Sequence, residues 1–311
     1  MPNSPCSIIS CSSRNYCLPN KIALFISISI SNSNMHLNVS TSSSSVLFLT
    51  VILLSSQVPI LLCVGNENYV VCSKPFQCGN IQNVSYPFWG GDRPDYCGQP
   101  GFELTCQGDE PQITIMSVSY KIIEINMDIQ AFTVARTDYL QNLCPQHLVN
   151  TTLNFSILSY AWNLENLTLY YDCTRIANLS SGFPSQFNCT NNGTDVLNYY
   201  VTASAFGNLS AEVKDGLRSC HSNVIVPAFY TAVQAIESNP TPETLILPLG
   251  NGFGLKWDAT IASKCQKCND SGGRCGYNKS LSQFTCYCSD HTDASSCLLS
   301  GMQQKQKYCF D

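Results

Sequence analysis

Fifteen cysteines lie after residue 66, and their thiols are the groups whose number and spacing point most directly to chemistry. They are Cys72, Cys78, Cys97, Cys106, Cys144, Cys173, Cys189, Cys220, Cys265, Cys268, Cys275, Cys286, Cys288, Cys297 and Cys309. An exported chain passes through an oxidising compartment, where thiols pair as disulfides, each contributing roughly 2–4 kcal/mol by constraining the unfolded chain. The count is odd, so one thiol is left over. Cys309 stands in a polar tail, residues 298–311, and a free thiol there is expected to couple two chains into a covalent dimer. Cys265-x2-Cys268 and Cys286-x-Cys288 also have the spacing of zinc ligands, which bind as thiolates. Export favours disulfides among the fourteen cysteines from Cys72 to Cys297, and no metal site is expected.

Other side chains offer less. Paired carboxylates can hydrolyse a glycosidic bond, but Asp92, Asp95 and Glu103 stand among turn residues, where Asp serves local hydrogen bonds. His147, His221 and His291 belong to no nucleophile motif such as G-x-S-x-G. Gly250-x-Gly252-x-Gly254 lacks the lysine that follows a phosphate-cradling loop and reads as a structural turn. No catalytic residue is assigned, and the chain is expected not to be an enzyme.

Asn-X-Ser/Thr occurs at Asn83, Asn150, Asn154, Asn166, Asn178, Asn188, Asn192, Asn208, Asn269 and Asn278. Ten acceptors at this density predict a glycoprotein with exposed backbone at most of these positions. Seven of them fall between Asn150 and Asn208, so a sugar-covered face is expected there, with Asn188 open to blockage by a disulfide at Cys189.

Charged residues are only 12% of the 311, and the net charge is −5. No Asp or Glu precedes residue 66, so the part beyond it is more acidic still. Nucleic-acid binding, which needs a basic face, is excluded on that ground. Val46 to Val64 is an apolar run broken by Ser55, Ser56, Gln57 and Pro59, and it reads as a signal-peptide core within residues 35–65. Small residues at Cys63 and Gly65 suit a cleavage site, placing the start of the exported chain near Asn66. Residues 1–34 are expected to be an upstream extension, since a signal core ordinarily lies within the first ~30 residues. The expected location is extracellular. Membrane attachment would require the Val46 to Val64 run to stay uncleaved, or a longer isoform with a transmembrane helix.

The elements that must carry these groups are mostly strands. Apolar alternation at Ile113 and Ile115, then at Ile123, Ile125, Met127 and Ile129, predicts half-buried strands between Gln112 and Arg136. Leu167, Leu169 and Tyr171 alternate likewise, as do Tyr199, Val201 and Ala203. Phe229, Val233 and Ile236 recur at helical spacing and predict a helix over Pro227 to Glu237, ended by Asn239-Pro-Thr-Pro242. Trp257 closes a strand-like run from Gly252 and is expected to bury its ring against the Cys265 cluster. The fold class is mainly β with a little α, in two disulfide-stapled extracellular domains that meet near residues 136–144.

Specific spacings follow. Cys72-x5-Cys78-Gly79-x-Ile81, Tyr86-Pro87-Phe88-Trp89-Gly90 and Cys97-Gly98-x2-Gly101-Phe102-x-Leu104-x-Cys106 resemble the galacturonan-binding domain of wall-associated receptor kinases. Tyr171-x-Cys173, Gly252-Phe253-x-Leu255-x-Trp257, Cys265-x2-Cys268 and Ser271-Gly-Gly-x-Cys275-Gly276-Tyr277 resemble the C-terminal module of the same receptors, and the arrangement is similar to ectodomains of leaf-rust-resistance-type receptor-like kinases. The resemblance divides the chain into residues 66–137, galacturonan-binding-like, and residues 138–297, C-terminal-like. It implies recognition of pectin or oligogalacturonides, with Tyr86, Phe88 and Trp89 offering stacking surface and Lys74 and Arg93 supplying local positive charge. No cofactor is implied, although calcium can bridge an acidic chain to an acidic sugar. The receptors of this family continue into a transmembrane helix and a kinase, whereas this sequence holds neither an HRD nor a DFG motif. A second reading is a soluble decoy or co-receptor ectodomain that binds protein or peptide partners, including other receptor ectodomains.

Overall fold

Alternating side chains between Glu110 and Arg136 bury one face of a sheet, and that sheet is the centre of the computed structural model. The described residues are 66–297, apart from 178, 180–183 and 192, together with a separate antiparallel pair, β1 (Ile9–Ser12) and β2 (Tyr16–Pro19). Otherwise residues 1–65 and 298–311, with the expected signal core and Cys309, lie outside the described residues. Asn66 to Cys297 is one compact unit.

From the start of this unit the chain forms α1 (Glu67–Cys72), a hairpin of β3 (Phe76–Cys78) and β4 (Ile81–Val84), and then an antiparallel meander. The meander runs β5 (Leu104–Gln107), β6 (Glu110–Ile115), β7 (Val118–Asn126) and β8 (Ala131–Arg136). β9 (Leu158–Tyr160) and β14 (Phe253–Trp257) complete the sheet in the order β5-β6-β7-β8-β14-β9, with Phe253 opposite Val134 and Leu255 opposite Phe132. Strands from both sides of residues 136–144 therefore share one sheet. Ile113, Tyr120, Ile122, Phe132, Val134, Phe253 and Leu255 fill its inner face. Gly252 sets the entry to β14: its φ is +69°, and a Cβ there would stand 2.0 Å from the Val134 carbonyl oxygen. The glycine run is thus a corner packed against β8.

A second sheet has the order β11 (Ser185–Asn191), β12 (Thr194–Thr202), β10 (Leu164–Tyr171), β13 (Ser222–Phe229). After β12 come the short α2 (Ala203–Gly207) and α3 (Ala211–Arg218), and after β13 come α4 (Tyr230–Ser238) and α5 (Pro242–Asn251). Leu167, Leu169, Val224 and Val226 of the sheet pack on Val233, Ile236, Leu245 and Leu249 of α4 and α5. The helix expected over Pro227 to Glu237 begins instead at Tyr230, because Val224, Val226 and Ala228 alternate into the core and hold β13 against β10 as far as Phe229. Pro227, opposite Asn166, is tolerated because β13 is an edge strand. Asn239-Pro-Thr-Pro242 ends α4 and also starts α5, with Thr241 and Thr244 forming a capping box and Pro242 in the first turn.

α6 (Ala259–Asp270), capped by Asp258, leads into β15 (Arg274–Asn278), β16 (Gln283–Tyr287) and β17 (Thr292–Asp293). This last segment meets the first: Asn66 donates its backbone N–H to Ser289 O at 2.9 Å and its side-chain amide to His291 O at 2.8 Å. Among the described residues, seven disulfides join Cys72–Cys97, Cys78–Cys106, Cys144–Cys189, Cys173–Cys220, Cys265–Cys275, Cys268–Cys286 and Cys288–Cys297. The protein is mainly β, as its sequence predicts. No helix among the described residues is long and apolar enough to cross a membrane.

Candidate ligand-binding site

The loop from Tyr86 to Arg93 follows β4 and is braced from inside. Arg93 donates from Nε to Phe88 O at 3.0 Å, from Nη1 to Cys72 O and Lys74 O at 2.6 and 2.8 Å, and from Nη2 to Cys97 O at 2.7 Å. Only 2% of Arg93 is exposed, so it does not offer the surface charge expected of it. Short polar connections leave backbone carbonyls without ladder partners, and one five-donor fork satisfies four of them at once. Burial pulls its pKa down to about 10, which still leaves the guanidinium charged near neutrality.

Tyr86 and Phe88 are also interior. The Phe88 ring meets Phe102, Phe132 and Trp257 edge to face, at 5.5, 5.5 and 5.4 Å. Tyr86 donates its hydroxyl to Gln99 Oε1 at 2.9 Å and packs against Phe284, and burial raises its phenol pKa well above the ordinary value. Trp89 is half-buried, with Nε1 donating to Gln99 O at 3.1 Å. Lys74 is exposed and makes no ion pair among the described residues. Of the five side chains the sequence nominates, Lys74 and Trp89 reach solvent. A groove of about 660 Å3 between the Tyr86 loop and α6 includes Asp128 but no lysine or arginine in its lining.

The remaining candidates sort by their partners. Asp95 is ion-paired with Lys279, Asp92 and Glu103 are exposed, and His291 Nδ1 lies 2.7 Å from Asp290. The sulfurs of Cys286, Cys288 and Cys297 cluster within 4.8 Å, but all three belong to disulfides and carry no thiolate for a metal. Asn83, Asn150, Asn154, Asn166, Asn188, Asn208 and Asn269 are exposed and Asn278 is half-buried, while Asn178 and Asn192 lie outside the described residues.

One feature escapes the sequence motifs altogether. Trp162, between β9 and β10, is 56% exposed, and the Lys256 ammonium stands 3.8 Å from the centroid of its ring. Trp162 borders a hollow on the outer face of the six-stranded sheet, where β7, β8 and β14 run side by side. No spacing rule links residue 162 to residue 256, since pairing of β14 with β9 and β8 brings them together.

Residues 72–136 match the Wall-associated receptor kinase galacturonan-binding family, and residues 188–291 match the Wall-associated receptor kinase C-terminal family. Two similar relatives, both from Arabidopsis thaliana, are leaf rust 10 disease-resistance locus receptor-like protein kinase-like 2.5 and 2.1. The first is 36% identical over 234 residues, covering 72% of this chain and 34% of its own length. The second is 33% identical over 235 residues, covering 75% of this chain and 36% of its own. The chain thus spans about a third of the length of these relatives. No solved structure matches. The chain carries a Wall-associated receptor kinase galacturonan-binding domain and a Wall-associated receptor kinase C-terminal domain, and across both it is similar to the leaf-rust-10-like receptor kinases.

Proposed function

We propose that the chain is an extracellular binding module for acidic cell-wall polysaccharide, pectin or its oligogalacturonide fragments, and that it catalyses no reaction itself. The match of residues 72–136 to a galacturonan-binding family carries the reading. Electrostatics then demands a local contact. The chain has 21 acidic against 16 basic side chains, so a polyanion must meet an unpaired cation or a calcium bridge. Lys74 is such a cation, with Trp89 on the same module as a partly exposed ring. The disulfides and exposed sequons suit an oxidising extracellular site.

The experiment is retention of the secreted protein on de-esterified pectin, with and without a calcium chelator, beside a neutral galactan column. Salt-sensitive retention on the acidic matrix alone is expected. Equal retention on both matrices, or none on either, overturns the proposal, and release of reducing sugar from pectin would make the chain an enzyme.

A further inference from the structure

The outer face of the six-stranded sheet, opposite the buried row of Phe132, Val134, Phe253 and Leu255, holds a hollow of about 130 Å3. Its floor is made of small residues: Ala131 and Thr133 of β8, Gly254 of β14 and Ala161 just after β9. Gly254 keeps the floor low, because a Cβ there would lie 2.8 Å from the Ala161 Cβ and 3.6 Å from the Phe229 ring. Phe229 and Trp162 form the aromatic wall.

The polar groups at the rim, Asn126 and Glu124, and Lys256 beside it, whose ammonium rests on the Trp162 ring, have room for a further partner. Asn126 Oδ1 accepts from the backbone N–H groups of Asp128 and Ile129, and its amide N–H groups make no hydrogen bond among the described residues. Glu124 is exposed and lines the hollow, and neither Glu124 nor Lys256 makes an ion pair among the described residues. Packing does not require an indole 56% in solvent beside an unpaired ammonium.

These groups together suit a sugar. An aromatic face takes the C–H face of a pyranose, an amide donates to a hydroxyl oxygen, and a carboxylate accepts from a hydroxyl. Drug-sized ligands occupy pockets of roughly 300–1,000 Å3, so about 130 Å3 suits one ring with its neighbours running out over the surface. Charge fixes the kind of sugar and its direction. The unpaired ammonium of Lys256 calls for an anionic group, and Glu124 excludes that group from its own end of the hollow.

We propose that this hollow seats one uronate ring of an acidic polysaccharide against Trp162, and that the Lys256 ammonium, which stands over that indole beside the hollow, turns from it to the sugar carboxylate. The inference rests on the acidic-polysaccharide reading above. It places the principal contact on the outer sheet face, away from the Tyr86 loop. The site is composite: Ala131 and Thr133 belong to the first matched region, Gly254 and Lys256 to the second, and Trp162 to the stretch between them.

The test is calorimetric titration of the whole secreted protein with a defined oligogalacturonate, run beside retention on de-esterified pectin. Trp162→Ala and Lys256→Gln alter solvent-facing groups, and unchanged thermal unfolding of each would verify its fold. Trp162→Ala should weaken binding on the order of tenfold, the loss of one stacked ring contact. Lys256→Gln should weaken it comparably at low salt and flatten its salt dependence. Wild-type binding that survives both substitutions within twofold overturns the location and leaves the proposed function standing. Absence of wild-type binding to oligogalacturonate and pectin alike overturns both. Binding gained only after Asn154→Gln or Asn166→Gln would also overturn the location, since the chain's own glycan would then be the occupant.

Discussion

The rings of Phe88 and Trp257 meet edge to face with centroids 5.4 Å apart and planes at 88°. Phe88 belongs to the galacturonan-binding module and Trp257 to the C-terminal one, so this contact lies inside a core that both modules share. Trp257→Ala should cost about 3–5 kcal/mol, as removal of a buried aromatic does. Phe88→Ala should cost a similar amount, and the double variant should cost less than the sum because the two share the contact. Chemical denaturation of the secreted protein checks this, and secretion that collapses for either variant agrees with it. A Trp257→Ala protein of normal stability that lost ligand binding would make Trp257 a site residue.

Arg93 and Lys74 should separate cleanly. Arg93→Ala leaves the carbonyls of Cys72, Lys74, Phe88 and Cys97 without their donor, at about 1–3 kcal/mol for each one that water cannot reach, and secretion should fail. Arg93→Lys should also be destabilised, because an ammonium has three donors and no fork. Lys74→Ala should fold normally and lower pectin retention only at low salt. Expression yield and a salt series on the pectin column measure both.

Gly273 lies among three sulfurs. A Cβ there would stand 2.4 Å from Cys286 Sγ and 2.7 Å from both Cys268 Sγ and Cys297 Sγ. Gly273→Ala should therefore disrupt the Cys268–Cys286 and Cys288–Cys297 pairs and yield mixed disulfides. Peptide mapping under non-reducing conditions reads the result. In the wild-type protein the same map should return the seven pairs, with Cys309 outside them and a covalent dimer that Cys309→Ser abolishes.

Stability should be insensitive to pH through the mildly acidic range and fall below it. Side-chain and backbone hydrogen bonds from Thr260 hold the Asp258 carboxyl below its ordinary pKa, and backbone hydrogen bonds from Ser295 and Ser296 do the same for Asp293. A depressed carboxylate pKa stabilises the fold above the unfolded value near ~3.9, and that stabilisation is lost as pH falls through the lower folded value. Denaturation midpoints measured between about pH 2.5 and 7 should therefore be level down to about 4 and then decline. Asp258→Asn and Asp293→Asn should shallow the decline.

Local order was legible in the sequence where one residue's neighbours decide its state. Alternation marked β6, β10 and β12 and only part of β7, whose buried face is Val118, Tyr120 and Ile122, while Met127 and Ile129, expected on a strand, lie in the turn between β7 and β8; the Gly252 to Trp257 run marked β14. The start of α4 was misplaced because the same residues satisfy two patterns, helical from Phe229 and alternating up to Ala228, and pairing with β10 decides between them. Arg93 was nominated for the surface because a charge is exposed by default, whereas its partners here are carbonyls, which every residue possesses and no sequence pattern announces. The Trp162 hollow was invisible for a related reason: its parts come from β7, β8, β13, β14 and the segment after β9, and only the folded arrangement of these strands makes them neighbours.

The hydrogen bonds from Asn66 to Ser289 and His291 have a mechanical consequence. They pin the first residue of the unit to its final β-ribbon, so a pull applied at residues 66 and 297 finds its two points of attachment already side by side. The force separates that short staple first, and the Cys72–Cys97 and Cys288–Cys297 bridges limit how far each end peels. While that staple holds, the central sheet, with the Trp162 hollow on its outer face, lies outside the path of the load. A polymer held there would stay gripped while tension ran through the ends.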